Sequence, residues 1–128
     1  EGFYEWREED ERKWPFFFER KDGKPLMLAA IWDYSDVKGD VVPTFAIMTD
    51  EPNELIAPYH DRMPVAIDNP ETWLEPNTSL DDLAMLEPDQ FVVRPVNPAV
   101  NKVAEKDIDK IEDMTVIVPP PKSKARKK

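Results

Sequence analysis

Short apolar runs alternate with polar, turn-rich stretches along this chain, a pattern that predicts strands rather than long helices. The predicted strands cover residues 2–6, 15–20, 26–32, 44–49, 65–67 and 91–96. The runs at 26–32 and 44–49 are continuously apolar, which is typical of buried strands. Two polar stretches between them are predicted to be exposed connections, one within a hairpin at 7–13 and one a loop at 33–40.

Short helices are predicted between some of these strands, at residues 50–56, 69–74, 79–86 and 103–111. The third has Ser79 as its capping residue, with leucines at helical spacing after it. A last strand is predicted at 114–118. Together these elements indicate one α+β domain with mostly antiparallel pairing over residues 1–118, followed by a disordered Pro-then-basic tail at 119–128.

The composition fits a single domain and excludes several kinds of chemistry. The chain has 128 residues, of which 41% are hydrophobic and 34% are charged. No apolar run approaches the roughly 20 residues of a membrane span, so no membrane partner is expected. The absence of cysteine excludes disulfides, thiolate zinc sites and cysteine nucleophiles within this polypeptide. With one histidine and no recognised carboxylate spacing, the sequence also predicts no metal site and no small-molecule cofactor.

The charge of the chain is strongly acidic and unevenly distributed. The formal net charge is −10, and five of the 17 basic residues lie in the tail at 122–128. Residues 1–121 therefore carry 12 basic against 27 acidic side chains, a formal charge of −15. A general nucleic-acid binder usually has a basic surface, because each phosphate contact depends on a cation. Any contact of this body with DNA must be local and made by a few placed cations.

Two residues are candidates for acid–base chemistry. His60 is the single histidine, and histidine is the side chain that ordinarily titrates near neutrality. A lone histidine in a polar loop is more often a surface or capping residue. Glu5 lies among Phe3, Tyr4 and Trp6, and enclosure by aromatic rings would raise its pKa. Strand alternation would instead place Glu5 on the solvent face, so the spacing leaves both interpretations open.

Several blocks of the sequence resemble the SRAP domain (SOS response-associated peptidase), in the order and spacing of that family. The first is EGFYEW at 1–6, followed by PFF at 15–17, DGKPL at 22–26 and LAAIW at 28–32. The match resumes with FAIMT at 45–49 and HDRMPV at 60–65, the latter being similar to the family's second signature. Weaker similarity continues through 94–96 and 100–103, so the resemblance covers residues 1 to about 103.

The resemblance implies both a fold and a function. The fold is a largely antiparallel, barrel-like sheet with short flanking helices, of which this chain holds the C-terminal part. SRAP proteins recognise abasic sites in single-stranded DNA, where an N-terminal cysteine condenses with the sugar aldehyde and closes a thiazolidine ring. Glu5 matches the family's catalytic glutamate and His60 its active-site histidine. Arg62 matches a cation beside the DNA backbone, and Thr49 matches a phosphate or sugar contact.

The crosslinking cysteine and an asparagine of the family's site belong to an N-terminal portion that is absent here. One hypothesis is that this chain is part of a working crosslinking protein, completed by that portion. The other is a non-enzymatic remnant or a single-stranded-DNA-binding module, in which Trp6 and Trp14 stack on bases. The expected partners are single-stranded DNA with an abasic site and the missing SRAP segment, in the cytoplasm or on the nucleoid. Hydrolysis of other proteins is disfavoured, because there is neither a nucleophile–base pair nor a metal motif.

Overall fold

The computed structural model describes residues 1–102, which form short antiparallel sheets joined by turns. The strands in this part of the chain are β1 (Gly2–Glu9), β2 (Arg12–Arg20), β3 (Met27–Leu28), β4 (Ala30–Val37), β5 (Asp40–Ile47), β6 (Thr49–Asp50), β7 (Met63–Pro64), β8 (Ala66–Ile67) and β9 (Phe91–Pro95). One α-helix, α1 (Pro70–Leu74), and 3₁₀ turns at Leu80–Asp82, Pro88–Gln90 and Pro98–Asn101 complete the described elements.

The largest sheet has the order β1-β2-β9, with β2 in the centre and antiparallel to both neighbours. The three consecutive aromatic residues of β2 are all buried: Phe16 and Phe18 pack into one cluster and Phe17 into another. This central strand is therefore covered on both faces, which explains why its apolar run does not alternate with polar residues. At the start of β1, a side chain on Gly2 would collide with the Phe18 carbonyl oxygen, so this close pairing requires glycine.

The predicted hairpin connection at 7–13 is confirmed as part of a hairpin but is wrong in extent, because β1 and β2 continue through it to a two-residue turn. Asp10 and Glu11 form that turn with positive φ angles of 49° and 61°. Arg7 and Glu9 are buried despite their charges, and they form an ion pair with Nε and Oε1 3.3 Å apart. The Arg7 guanidinium also lies over the ring of Phe16, 5.0 Å from its centroid. Pairing and aromatic contact offset the cost of burying the charges.

A second hairpin, β4–β5, replaces two predicted features. The run at 26–32, predicted to be one buried strand, is divided at Ala29 between β3, which pairs with β8, and β4, which pairs with β5. The predicted loop at 33–40 is wrong as well, since strands continue on both sides of a turn at Lys38 and Gly39. The predicted strand at 44–49 is confirmed as strand by β5 and β6, but its burial is wrong, because Phe45 is exposed.

Ala29, Met48 and Val65 form the junction between the short sheets. The Ala29 amide donates to the Val65 carbonyl, the Met48 amide to the Ala29 carbonyl, and the Val65 amide to the Met48 carbonyl, each at 2.9 Å. This ring of hydrogen bonds holds the end of β5 beside the segment that leads into β8. The Val65–Met48 hydrogen bond of this ring also brings the next residues together, where β6 and β7 pair with Thr49 opposite Pro64.

The predicted helices are only partly present. The helix at 69–74 is confirmed as α1, which starts with a proline. The helix at 79–86 is wrong in extent: Ser79 and Asp82 form a capping box around one 3₁₀ turn, and the chain then becomes extended. The helix at 50–56 is wrong; turns follow Asn53, whose side-chain oxygen accepts hydrogen bonds from the Leu55 and Ile56 amides.

The predicted antiparallel pairing is confirmed for every strand pair within residues 1–102, and the predicted strands at 65–67 and 91–96 are found as β8 and β9 within about two residues. Across these residues the strands form separate sheets with few helices and no closed barrel. The barrel-like closure and the flanking helices of the fold prediction therefore stay predictions. The predicted helix at 103–111, the strand at 114–118 and the tail lie outside the described residues, as does the domain boundary at 118.

Candidate functional site

Glu5 projects from the middle of β1 into a cleft rather than into open solvent. It lies opposite Phe16 in the β1–β2 register, and only 16% of its side chain is exposed. Burial raises the pKa of Glu5 above its ordinary value; His60 lowers that pKa and Asp61 raises it, both by smaller amounts. The interpretation with Glu5 on a solvated face is therefore wrong, and the carboxyl group is suited to proton transfer.

His60 faces Glu5 from a different part of the chain. Its Nε2 lies 3.9 Å from Glu5 Oε2, and 44% of the histidine side chain is exposed. The run of turns at 54–59 delivers it there, and the His60 amide donates to the Ile56 carbonyl at 3.1 Å. The structure thus brings together the two acid–base candidates that the sequence left far apart.

The backbone of Arg62 fixes the orientation of the imidazole ring. The Arg62 amide and the Arg62 carbonyl each lie 3.0 Å from His60 Nδ1, so Nδ1 accepts from the amide when it carries no hydrogen and donates to the carbonyl when it does. The other ring nitrogen, Nε2, faces Glu5. In the protonated ring, Nδ1–H can donate to the Arg62 carbonyl at 3.0 Å or to the Asp61 carboxylate at 3.3 Å. The ring therefore has partners in both protonation states, which a group that shuttles protons requires.

The cleft around this pair is an open depression of about 770 Å³. Its lining consists of Glu5, Trp6, Glu8, Lys13, Tyr59, His60, Asp61, Val100 and Asn101. Asn101 links two walls, because its Oδ1 accepts from Trp6 Nε1 at 2.5 Å and its Nδ2 donates to the Lys13 carbonyl at 3.3 Å. The 3₁₀ turn Pro98–Asn101 thereby closes one side of the cleft against the β1–β2 hairpin.

Arg62 and Thr49 contact each other next to the cleft rather than along its wall. Arg62 Nη2 donates to the Thr49 carbonyl at 2.8 Å and to Thr49 Oγ1 at 3.0 Å, and Arg62 Nε donates to the same hydroxyl at 3.3 Å. Both residues are exposed. The two residues predicted to contact DNA thus form one cationic corner, two residues beyond His60.

Sequence reasoning missed several residues of the cleft. Tyr59 and Asp61 flank His60, so their place beside it was available from the sequence. Lys13 and Asn101 carried no comparable signal, because their hydrogen bond joins distant parts of the chain. Within residues 1–102, no group of three histidine or acidic side chains is placed to hold a metal ion. Helices in this part of the chain are all too short or too polar to cross a membrane.

Similarity to known protein families identifies the family of this chain. The model of the SOS response associated peptidase (SRAP) family matches residues 1–103. The chain belongs to the SRAP family. The predicted resemblance is thereby confirmed over the same residues, including the blocks that contain Glu5 and His60.

Curated SRAP relatives support the same assignment and extend beyond this chain. The abasic site processing protein YedK of Escherichia coli is 30% identical in an alignment 121 residues long, which covers 88% of this chain and 54% of the relative. The abasic site processing protein YoqW of Bacillus subtilis is 32% identical with the same two coverages. The chain therefore spans about half the length of the curated relatives that it matches.

Solved structures of similar proteins also extend beyond the part that matches this chain. A protein from Bacteroides thetaiotaomicron superimposes with a TM-score of 0.71 at 25% identity, over 90% of this chain and 54% of the other. A protein from Bordetella bronchiseptica gives a TM-score of 0.65 at 25% identity, over 75% of this chain and 51% of the other. The two matched proteins are thus about twice as long as the part that this chain covers.

Proposed function

We propose that this chain supplies the acid–base part of a site that recognises abasic sites in single-stranded DNA and crosslinks to them. The crosslinking cysteine lies on an SRAP portion outside this chain. Membership of the family and the names of the relatives, which are abasic site processing proteins, support this proposal. The observation that carries it is the Glu5–His60 pair, 3.9 Å apart in a cleft large enough for a sugar.

The proposed reaction needs protons at two stages, and the pair is placed to move them. An amine that adds to the ring-opened sugar aldehyde forms an imine and releases water, so the leaving oxygen must gain protons and the nitrogen must lose them. The thiol of the same cysteine then adds across the imine, which forms a C–S bond and returns a hydrogen to nitrogen. Glu5, whose pKa is raised by burial, exchanges protons with the reacting nitrogen and oxygen. His60 holds the sugar oxygen through Nε2.

The cationic corner of Arg62 and Thr49 positions the DNA backbone in this proposal. Two nitrogens of Arg62 already bond Thr49, and within residues 1–102 no bond from Arg62 Nη1 is found. Because Thr49 fixes the direction of the Arg62 guanidinium, a phosphate of the DNA backbone can accept a hydrogen bond from Nη1. The binding group therefore lies next to the reacting pair without being part of it.

The test is a crosslinking assay with a matched acidic control. The chain is mixed with the N-terminal portion of the Escherichia coli relative and a single-stranded oligonucleotide that contains one abasic site. Covalent adducts are then followed over time on a denaturing gel. Glu5→Gln is expected to slow crosslinking by about 100-fold or more, because the proton-transfer group is lost. Glu8 lines the same cleft, but among the described residues it forms no ion pair with His60, so Glu8→Gln should leave the rate unchanged.

Two results would end the proposal. One is a crosslinking rate no higher than that of the N-terminal portion alone. The other is an equal rate for Glu5→Gln and the unmodified chain.

A non-enzymatic module that binds single-stranded DNA is the second candidate, and Trp6 favours it. This indole is 37% exposed at the cleft and is held in place by Asn101. A fixed, half-exposed ring of this kind can stack on a base, which contributes about 1–3 kcal/mol. If this candidate is correct, Trp6→Leu weakens binding of undamaged single-stranded DNA, and Glu5→Gln has no effect on any property of the complex.

A further inference from the structure

The β4–β5 hairpin presents an exposed apolar face that the described residues do not cover. Residues opposite each other in an antiparallel pair share a face, and here Trp32 lies opposite Phe45 and Tyr34 opposite Pro43. Trp32 is 66% exposed and Phe45 is 74% exposed. Tyr34, Val41 and Ile47 extend the same face and are exposed too. We call these five residues and Pro43 the apolar hairpin face.

The opposite face of the hairpin is mixed: it holds Ile31 and Val37 together with polar residues that bond one another. Asp33 lies opposite Thr44, and Thr44 Oγ1 donates to the Asp33 carbonyl at 2.9 Å. Ser35 Oγ and Thr44 Oγ1 are 3.1 Å apart on the same side. The large exposed aromatic rings, Trp32, Tyr34 and Phe45, therefore lie on one face of the hairpin, and the polar pairs Asp33–Thr44 and Ser35–Thr44 lie on the other. Two strands alone are marginally stable, and an exposed apolar patch of this kind marks an interaction surface.

We propose that the apolar hairpin face is the docking surface for the SRAP portion outside this chain that carries the crosslinking cysteine. This inference rests on the proposed function and names the contact by which the site is completed. The chain superimposes over 90% of its length on a solved protein of which it covers 54%, so the remaining chain of such proteins has to pack somewhere on this fold. The surface of that SRAP portion which contacts the apolar hairpin face should itself be apolar and be formed by a strand or a helix.

The position of the face connects it to the cleft. Ile47 ends β5, and Thr49, which holds Arg62, follows two residues later. The Ala29–Met48–Val65 ring fixes this point to the segment that carries His60 and Arg62. The apolar hairpin face therefore ends two residues before Thr49, beside the cationic corner, so a segment docked on it lies close to the proposed DNA contact.

A second copy of this chain is the competing occupant, and charge disfavours it. Each copy has a formal net charge of −10, so pairing two copies brings like charges together.

The test compares the two faces of the hairpin by substitution. The double variant Trp32→Thr/Phe45→Thr removes both aromatic rings from the apolar hairpin face. Ile31→Thr is the matched control, since Ile31 is exposed on the opposite face. The substituted side chains are exposed, so circular dichroism should show native-like spectra for both variants. Binding to the fluorescently labelled N-terminal portion of the Escherichia coli relative is measured by anisotropy.

The double variant is expected to bind at least about tenfold more weakly, because two aromatic rings no longer leave water on association. Ile31→Thr should bind like the unmodified chain. Failure of the unmodified chain to bind, or equal binding by the double variant, would overturn the proposal. So would a discrete dimer in sedimentation that the double substitution dissolves. Binding without any crosslink to abasic DNA would leave the docking surface in place and refute the proposed function.

Discussion

At the scale of single residues, the protein holds a partly buried carboxylate, Glu5, at the position to which we assign proton transfer. Glu5 lies in a strand whose neighbours are aromatic, and burial raises its pKa. The buried Arg7 and Glu9 on the same strand form an ion pair, 3.3 Å apart. Glu5 has instead a half-exposed histidine at 3.9 Å, which stabilises its charge only weakly. The strand thus pairs the charges of Arg7 and Glu9 closely and leaves the charge of Glu5, the proposed proton-transfer group, less stabilised.

Glu5→Gln should stabilise the folded chain at neutral pH. Below the ordinary glutamate pKa of 4.5 the carboxyl group is protonated in folded and unfolded chains alike and costs nothing. As the pH rises through the raised folded pKa, the group must ionise in a partly buried site, which lowers the free energy of unfolding. The gain from Gln is therefore expected at pH 7, at about 0.5 kcal/mol or more, and should vanish toward pH 4.5.

Urea unfolding followed by tryptophan fluorescence across this pH range measures the difference. A destabilised Glu5→Gln chain at pH 7 would contradict the assigned cause of the pKa shift.

Arg62→Ala should weaken DNA binding without changing the chemistry. One phosphate contact is lost, so we expect about 3–10-fold weaker binding to single-stranded abasic DNA near ~0.1 M salt. The log–log salt slope should fall by about one unit or less. Gel shifts at several salt concentrations provide the measurement, with Lys24→Ala, far along the chain from the cleft, as the cation control. Equal losses for both variants would mean that Arg62 contributes only general charge.

At the scale of elements, the two long hairpins use the same kind of turn with different residues. Asp10 and Glu11 both have positive φ, as do Lys38 and Gly39 in the second hairpin. Such two-residue turns match the twist of the strands and favour Asp-Gly or Asn-Gly. The hairpin that holds Glu5 therefore carries a non-glycine residue where glycine fits best.

Glu11→Gly should stabilise the β1–β2 hairpin. A left-handed conformation costs a non-glycine residue roughly 1–2 kcal/mol, and the greater freedom of glycine in the unfolded chain returns about half of that. A net gain of about 0.5–1 kcal/mol is expected in urea unfolding. Gly39→Ala, with φ 86° in the other hairpin, should lose about 1 kcal/mol. A loss for Glu11→Gly would show that the Glu11 side chain, rather than turn geometry, determines the stability of this hairpin.

At the scale of the whole molecule, the proposed function makes charge the property that selects the form of DNA. Residues 1–121 have a formal charge of −15, and the cleft itself contains Glu5, Glu8 and Asp61 beside Lys13 and His60. A duplex, with its dense phosphates, is repelled by such a surface. A single strand can place one sugar in the cleft and one phosphate at Arg62, with a base against Trp6.

Single-stranded abasic DNA should therefore bind at least about tenfold more tightly than the same sequence as a duplex at ~0.1 M salt. Fluorescence anisotropy with both forms tests this, together with a variant in which the basic residues at 122–128 are replaced by Gln. That variant should bind both forms slightly more weakly and keep the preference. Equal affinity for the two forms would show that the cleft does not select the strand.

Many elements could be predicted from the sequence because their signals are local. Pro70 after Asn69 marked the start of α1, and Ser79 marked the capping box of the 3₁₀ turn Leu80–Asp82. Both signals act within a few residues of the chain. The aromatic run of β2 predicted a strand for the same reason. Errors arose where polarity was taken for exposure or apolarity for burial. The charged stretch at 7–13 is strand with buried Arg7 and Glu9, whereas the apolar stretch at 28–32 leads to the exposed Trp32.

The sequence by itself determined the family, the candidate residues and the acidic charge, because each of these depends on residue identity and order. Only the tertiary structure decided that Glu5 turns inward, that His60 stands 3.9 Å from it, and that Asn101 joins Trp6 to Lys13. It also decided that Trp32 and Phe45 lie side by side on one face of the β4–β5 hairpin, where the described residues leave both exposed. These properties arise from contacts between distant segments, which the Ala29–Met48–Val65 ring and the β1-β2-β9 sheet bring together. A local pattern of hydrophobic residues does not specify contacts between distant segments, because burial depends on how the whole chain packs.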